Sequence, residues 1–482
     1  MSAPTLPLAV AVPLLAAAAL MPVRRPVVRR AVLFGVLSAL SIYYAALVAA
    51  VADGSVLATA VGGWPGGVAI TFAVDAFSAL MLSATALATL LCAAFAAASG
   101  DDDRRWFAPL VLILTAGVAG ALSTSDVFNL FVFLEVSLVP SYVLIMMSDD
   151  RRRRTAARVY ITASLLASTL FVSGVALAYG TAGTTNLAAL VPAEVRAAGA
   201  VLLTALAVKA ALAPMHGWLA QSYPYASPAV AAMFSVLHTK VGLYAIYRVY
   251  TLMLDGDPAF GPVAVAVCAL TMAVGAVAAL GPGELRPILS FSMVSTNGYI
   301  ALGAALSAPV GLAAGIFYLL NDVAVKGALF LSAGAVEHRH RTGRLAGLGG
   351  LARREPVVAL AFLVPALSLA GMPPFSGFVA KFALVRAAMS EGRHFAAGVA
   401  VAASLLTLAA MVKIWQRAFV ADPERARAPV APVGFGLAAP ALILGAVTVV
   451  LGPGGEWLLA LCDVAGRGLA DPTGYVEAVL GP

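Results

Sequence analysis

Apolar runs of about 20 residues, the length at which a helix crosses a bilayer, recur along the whole chain. Of its 482 residues 62% are hydrophobic and 11% are charged, a composition that excludes a soluble multidomain protein. We divide the runs into fourteen predicted spans: 5–22, 31–52, 69–98, 107–124, 126–147, 157–180, 198–221, 228–250, 260–281, 285–305, 311–336, 357–388, 396–419 and 433–453. The sequence therefore predicts an all-α polytopic membrane protein with about 14 transmembrane helices.

The thirty basic residues are divided unevenly between the two sides of these predicted spans. With the amino terminus outside, twenty-one fall in inside loops and five in outside segments or their flanks. Inside loops of membrane proteins carry the excess of Lys and Arg. We therefore predict a multi-pass protein of a prokaryotic plasma membrane with both termini outside. The first apolar run has no basic region before it, so we interpret it as a retained span rather than a signal peptide.

Two predicted spans contain helix-breaking residues close to a lysine. The seventh has Lys209 before Pro214 in KAALAPMHGW, and the twelfth has LAGMPPFSGFVAKF leading to Lys381. Proline removes a backbone donor and clashes with the preceding turn, so we expect a broken helix at both places. The spans lie five apart, and an odd offset indicates two units of opposite orientation, an inverted repeat. The predicted organisation is an amino-terminal three-helix group (1–106), two inverted five-helix repeats (107–250 and 259–420), and a final transmembrane helix with an outside tail (421–482).

Four of the five lysines lie inside apolar runs, namely Lys209, Lys240, Lys326 and Lys381. An ionisable group at the centre of a membrane helix costs roughly 2.5 to 3.5 kcal/mol on insertion scales, so their presence calls for a function. Arginine stays protonated in proteins, whereas a lysine removed from water can release its proton. The pattern indicates proton handling.

Acids and histidines accompany these lysines. Glu135 lies roughly 14 Å into its span, a depth at which it can pair with Lys209; a static ion pair is the alternative. Asp322 precedes Lys326 by one helical turn, so we expect these two to share a helix face. A histidine of near-neutral pKa is a natural proton relay, with a packing role as the alternative. The candidate relays are His238 and His216.

Motifs for nucleotide, redox and metal chemistry are absent from the sequence. It contains no GxxxxGK[ST], no dinucleotide loop after a strand, no CxxC and no HExxH. Cys92, Cys268 and Cys462 have no metal-ligand spacing and are interpreted as packing residues. We therefore expect neither a cofactor nor a metal site. Asp75 and Asp126 are predicted to cap helices.

Three ordered segments resemble the antiporter-like membrane subunit family shared by respiratory complex I, membrane-bound hydrogenases and Mrp-type sodium/proton antiporters. They are SDVFNLFVFLEVSLVPSYVLI, VKAALAPMHGWLAQSYPYASP followed by LHTKVGLYAIYRV, and LAGMPPFSGFVAKF. The resemblance runs from about residue 70 to 420 and is strongest to the D-type subunits of Mrp-type antiporters. It implies that Glu135 and Lys209 are the family's glutamate–lysine pair. It also implies that Lys240 is the connecting lysine and Lys381 the lysine of the twelfth span.

The chain departs from the family pattern at four positions. Asp322 stands where the family often has a histidine, and Ala220 where it usually has a proline. Thr296 and Asn297 replace a frequent glutamine or histidine. These differences affect the details of the second half of the row of intramembrane charged residues. They do not affect the presence of that row.

The resemblance implies a secondary transporter subunit rather than an enzyme. We expect a proton-translocating subunit of a multi-subunit monovalent cation (Na+)/H+ antiporter that works with other subunits of a hetero-oligomeric complex in the lipid bilayer. Its ions are protons and Na+, and no nucleic acid is involved. One alternative is a proton-pumping membrane subunit of complex I or of a membrane-bound hydrogenase without a redox site of its own. Another is a non-transporting scaffold that keeps a charged axis.

Overall fold

The computed structural model describes residues 5–64, 70–147, 151–191, 194–254, 260–422 and 433–481. Arg425 and Arg427, counted above among the inside basic residues, lie outside them. The helices and strands are α1 (Leu8–Leu20), α2 (Pro26–Ala50), β1 (Leu57–Ala60), β2 (Thr71–Val74), α3 (Ala76–Ser99), α4 (Phe107–Ser123), α5 (Val127–Met146), α6 (Arg151–Ala182), α7 (Leu187–Leu190), α8 (Arg196–Lys209), α9 (Gly217–Ser222), α10 (Pro228–Val236), α11 (His238–Leu254), α12 (Phe260–Ala278), α13 (Leu285–Ala305), α14 (Pro309–His340), α15 (Leu351–Arg354), α16 (Pro356–Ala370), α17 (Ser376–Ser390), α18 (His394–Ile414, continued by a π-helical turn, Trp415–Val420), α19 (Phe435–Val450), α20 (Glu456–Ala470) and α21 (Thr473–Leu480).

The described part of the chain contains nine helices that are long and apolar enough to cross a membrane, when α10 and α11 are counted together as one helix from Pro228 to Leu254. Four shorter apolar helices accompany them: α1, α4, α16 and α19. Each predicted span overlaps one helix or two consecutive helices, and the all-α polytopic class is confirmed. The number fourteen stays a prediction.

A small antiparallel hairpin precedes α3, which the all-α prediction did not contain. β1 pairs with β2 from Leu57 opposite Val74 to Ala60 opposite Thr71. The predicted third span began at residue 69, but helix begins only at Ala76. A short buried run of β-branched and aromatic residues is compatible with either strand or helix, so the apolar pattern misplaced this boundary.

The hairpin marks one face of the bundle, which we call the hairpin face. Isolated bridges join Phe72 to Thr124 and Asp126 to Asn186, so the turn between α4 and α5 and the loop after α6 lie there. The α21 helix packs against β1 and β2, which brings the carboxyl-terminal end to the same face. The opposite face, which we call the arginine face, holds the bridge between Glu284 and Arg344. That the hairpin face is outside remains a prediction.

Both predicted helix breaks are present. Helix α8 ends at Lys209 and α9 begins at Gly217, while α16 ends at Ala370 and α17 begins at Ser376. A third interruption at Leu237, between α10 and α11, was not predicted and lies next to His238. The division into inverted repeats stays a prediction, because matching breaks do not by themselves establish a two-fold relation.

The carboxyl-terminal tail packs onto the bundle rather than extending from it. Gly466 of α20 approaches α14 so closely that a Cβ there would lie 2.7 Å from the Pro309 carbonyl oxygen. Cys462 of the same helix is buried and free, as are Cys92 and Cys268. Tyr475 of α21 lies over the guanidinium of Arg248, 5.1 Å from the ring centroid. The tail is therefore an integral part of the fold.

Candidate functional site

Glu135 and Lys209 form the first charged group of the site. Their Oε1 and Nζ atoms lie 3.7 Å apart, as the sequence predicted for packed helices. Ser168 of α6 bridges them, since its hydroxyl donates a short hydrogen bond to Glu135 and accepts one of 3.3 Å from Lys209. Lys209 is the last residue of α8, where the negative end of the helix dipole favours a cation. Sequence reasoning missed Ser168, which is one of several hydroxyl residues in its span.

The two ends of this group differ in exposure. The Lys209 side chain is 8% exposed, whereas that of Glu135 is 30% exposed. Val132 and Val139, on the same side of α5, are also exposed at the surface of the chain. The acid end of the group thus reaches the surface of the subunit at membrane depth.

A void of about 30 Å³ lies beside Lys209, and His238 lines it from α11. Tyr160, Ser164 and Trp218 contribute to the same lining. Both ring nitrogens of His238 are buried, and neither meets hydrogen-bond geometry with a described protein group. A void that holds one probe-sized water needs roughly 10 to 15 Å³ and polar partners, so this one has room for water between Lys209 and His238.

His216 occupies a different place from His238. It precedes α9 in the break after α8, and it is not among the residues that line the void. Of the two predicted relays, therefore, only His238 shares a void with Lys209.

Lys240 and Asp322 form the second charged group, at the centre of the bundle. Their Nζ and Oδ2 atoms are 2.5 Å apart, and both side chains are almost fully buried. Lys240 also donates to Asn297 Oδ1 at 3.0 Å, and Asn297 in turn donates to the carbonyl of Ala210, next to Lys209. Asn297, noted above only as a departure from the family pattern, therefore links the two groups.

Asp322 and Lys326 lie one turn apart on α14, as expected, but they do not form an ion pair with each other. The ion-pair partner of Asp322 is Lys240 of α11, and Lys326 donates instead to Ser292 Oγ at 2.7 Å. Packing of α11 and α13 against α14 supplies closer partners than the residue one turn along the same helix. Lys326 therefore donates its hydrogen bond to a hydroxyl, and the Asp322 carboxylate acts on it at longer range.

Lys381 ends the row in the second broken helix. Its ammonium donates to the Leu369 carbonyl at 2.8 Å and to Ser404 Oγ at 2.9 Å. The same ammonium lies 5.3 Å from the centroid of the Tyr299 ring. The Leu369 carbonyl is the penultimate one of α16, so this ammonium occupies the negative end of a helix dipole, as Lys209 does.

Hydroxyl and amide groups occupy the space between the last two lysines. Ser376 donates to Asn321 Oδ1 at 2.6 Å and lies 3.4 Å from the hydroxyl of Ser368. Asn321 is next to Asp322 in α14, and Ser368 is next to Leu369, which binds Lys381. A short set of hydrogen-bonded polar groups thus lies within one residue of both the central group and the carbonyl that binds Lys381.

A separate buried ion pair lies toward the hairpin face. Asp75 caps α3, as predicted, by accepting the Ser78 amide at 2.9 Å, and it also pairs with Arg248 of α11. Tyr244, one turn before Arg248, accepts from its Nε at 3.1 Å. Sequence reasoning placed Arg248 at an outside flank and did not foresee this pair, because the two residues are far apart in the chain. Asp126 also caps its helix, by accepting the Asn129 amide.

A cavity of about 1080 Å³ opens on the arginine face. Ion pairs line it, with 2.6 Å between Arg286 and Glu337 and 3.1 Å between Arg344 and Glu284. Glu337 follows Lys326 by eleven residues in α14, about 16 Å along the helix, so the cavity stops well short of the row. Among the described residues no group of three or more His, Cys, Asp or Glu side chains could hold a metal ion.

Broken helices that bring a buried row of acid, lysine, amide and hydroxyl groups across the bundle define an antiporter-like membrane subunit. The chain belongs to the NADH:quinone oxidoreductase/Mrp antiporter transmembrane family, whose model matches residues 124–407.

Individual relatives agree with this family. The D-type subunit of the Na(+)/H(+) antiporter of Alkalihalophilus pseudofirmus is 36% identical over 430 residues, covering 87% of each chain. A chain in the structure of the Mrp complex from Dietzia sp. DQ12-45-1b is 48% identical, with a TM-score of 0.96 and 99% of both chains covered. A chain of respiratory complex I from Thermus thermophilus superposes with a TM-score of 0.85 over 99% of this chain and 100% of that one, at 24% identity, which shows a shared fold.

Proposed function

We propose that the chain is the proton-translocating subunit of a multi-subunit Na+/H+ antiporter, in the plasma membrane of a prokaryote. The observation that carries the proposal is the buried row from Glu135 to Lys381, in which every lysine has a polar partner. The similarity to relatives named as the D-type subunits of Na(+)/H(+) antiporters, and to a chain of an Mrp complex, supports the exchange of protons for Na+.

In the first half of the row, Glu135 regulates the proton on Lys209. An ionised carboxylate nearby favours the protonated ammonium. When the contact bridged by Ser168 opens, the ammonium loses this support and releases its proton to water in the adjoining void. His238, which lines the same void, is the acceptor that leads toward the centre.

In the second half, the proton passes from Lys240 to Lys381. Lys240 is paired with Asp322 and is oriented by Asn297. The proton then passes to Lys326, which lies one helical turn after Asp322 in α14. The Ser376 and Ser368 hydroxyls then connect the centre to Lys381, which releases the proton on the far side of the second break.

The surface around Glu135 is a contact site for another subunit. A charged side chain that faces lipid hydrocarbon is costly, and intramembrane charges almost always face protein or water. Glu135 is 30% exposed in the isolated chain. A neighbouring subunit of the complex therefore covers this side of α5 and α6.

Substitution of the first pair tests the proposal. We expect Glu135→Ala and Lys209→Ala to abolish Na+/H+ exchange in everted membrane vesicles, because one removes the regulating charge and the other the proton carrier. Ser173→Ala is the control, since this exposed hydroxyl binds only a carbonyl of its own helix. Assembly of each variant with its partner subunits is measured by co-purification. Wild-type exchange in both pair variants would refute the proposal.

The complex I and hydrogenase alternative uses the same residues but couples them to electron transfer. The likeness to the Thermus thermophilus chain concerns the fold, whereas the higher identities are to Na+/H+ antiporter relatives. Purification from native membranes separates the two functions. We expect antiporter subunits to co-purify, and iron–sulfur or flavin subunits in stoichiometric amounts would favour the alternative.

A further inference from the structure

An apolar slot of about 240 Å³ lies between the two predicted repeats. Helices α8 and α11 form one wall, and α12 and α13 form the other. Val263 of α12, which lines the slot, is 62% exposed, so the slot opens sideways toward the membrane. Its volume is below the range of about 300 to 1,000 Å³ that encloses a whole drug-sized ligand, so it suits one slender apolar chain.

The slot has the length of one bilayer leaflet. It extends along α12 from Phe260, at the first turn on the hairpin side, to Cys268. Eight residues of helix correspond to about 12 Å, and half of the hydrocarbon core is about 15 Å. The inner end reaches Leu212, in the break that follows Lys209.

The hairpin-side end of the slot carries a basic group. A Cβ on Gly261 would lie 3.7 Å from Nη2 of Arg393 and 3.9 Å from the hydroxyl of Tyr250, which lines the slot. Arg393 Nε is buried without a hydrogen-bond partner. The carboxylate of Glu391, two residues earlier, acts on this guanidinium electrostatically but is not within ion-pair distance of it. A guanidinium matches the geometry of a phosphate group.

We infer that this slot is a binding site for an anionic phospholipid, with one acyl chain between the repeats and the phosphate at Arg393. The apolar walls, about as deep as one leaflet, fit the acyl chain, and the guanidinium of Arg393 at the mouth fits the phosphate of the headgroup. Because Leu212 lines the inner end of the slot, the bound acyl chain also packs against the helix break that positions Lys209. The site itself does not depend on the proposed transport function.

Photolabelling of the assembled complex in native membranes tests this site. The probe is a phosphatidylglycerol with a diazirine in one acyl chain, and labelled peptides are mapped by mass spectrometry. We expect labels on the slot-lining residues of α8 and α12. Ala264→Phe fills the slot and should lower this labelling at least fivefold, whereas Ala266→Phe, on the exposed side of the same helix, should leave it unchanged.

The headgroup is tested with the same probe. We expect Arg393→Gln to reduce slot labelling by phosphatidylglycerol to the level seen with a matched phosphatidylcholine, and Arg393→Lys to retain most of it. Equal labelling by both lipids in the wild type would overturn the anionic site. Labelling that Ala264→Phe does not change, or slot peptides that stay unlabelled because a partner subunit covers them, would overturn the slot itself.

Discussion

Each lysine of the row has a different set of partners, and this difference determines what it can contribute. Lys209 and Lys240 each have a carboxylate, whereas Lys326 has a hydroxyl and Lys381 has a carbonyl and a hydroxyl. Hydrogen bonds to charged groups contribute about 1.5 to 3 kcal/mol each, so every ammonium is partly compensated for its loss of water. Of the four, Lys209 and Lys240 form ion pairs with a carboxylate, and Lys326 and Lys381 are held by hydrogen bonds to neutral oxygens.

The central pair allows structural and transport roles to be separated. Lys240→Met or Asp322→Leu alone leaves one buried charge without its partner, which costs about 3 to 5 kcal/mol. We therefore expect little folded protein from either single variant. The double variant replaces the pair with apolar groups and should recover folding but not exchange, as measured by size-exclusion yield and by vesicle assay.

Thr296→Val provides the control for this pair, since the Thr296 hydroxyl is buried but bonds to a carbonyl of its own helix. Exchange at wild-type rates in the double variant would show that the pair is structural only.

At the level of elements, close helix contacts hold the row in place. Two glycines, Gly303 of α13 and Gly315 of α14, let these helices approach closely. A Cβ added to either glycine would lie within 3 Å of the Cα atom of the other. Tyr247 of α11 fills the remaining space and donates to the Ile300 carbonyl at 2.7 Å. Small residues at membrane helix contacts serve this purpose generally. The three helices that carry Lys240, Asn297 and Asp322 are thereby in close contact around Gly303, Gly315 and Tyr247.

A methyl group at this contact should disrupt it. In Gly315→Ala the new Cβ would lie 1.9 Å from the Tyr247 hydroxyl, so either the Tyr247 side chain or helix α14 must shift. We expect a loss of about 1 to 3 kcal/mol and a lower midpoint in a thermal size-exclusion assay. Gly398→Ala in α18 meets nothing within 4 Å and should be neutral or stabilising, because alanine favours helix. Equal midpoints for both variants would contradict the packing argument.

On the scale of the whole molecule, the tail joins parts of the chain that are far apart in sequence. Helix α20 packs on α14 and α3, and α21 packs on the hairpin. Tyr475 covers Arg248, whose partner Asp75 caps α3. The amino-terminal group, the helix of Lys240 and the end of the chain therefore meet around one buried ion pair.

Removal of residues 455–482 should destabilise the protein, since it exposes the start of α14 and the Arg248 pair. We expect a lower thermal midpoint and less complex recovered with partner subunits. Removal of 481 and 482 alone is the control, because Gly481 is exposed. An unchanged midpoint after the long truncation would show that the tail is dispensable.

The sequence predicted the membrane class and the two broken helices well, because both depend on local chemistry. A long apolar run must form a helix in lipid, and the two breaks lie where proline follows the helix end closely, at Pro214 and at Pro373 and Pro374. Proline alone is not sufficient, since Pro140 and Pro365 lie inside α5 and α16. The Glu135–Lys209 contact also followed from depth and resemblance. The hairpin before α3 and the interruption at Leu237 were missed, since neither has a distinct local pattern.

By itself the sequence determined that this chain is a polytopic membrane protein with four lysines in its apolar spans, because composition and residue order suffice for that. Apart from the Glu135–Lys209 pair, only the tertiary structure decided which partner each charge has. Asp322 meets Lys240 rather than Lys326, Ser168 and Asn297 bridge the groups, and Arg248 turns inward to Asp75. The physical reason is that a buried charge takes the nearest compensating group in space, and helix packing sets that neighbour regardless of sequence distance.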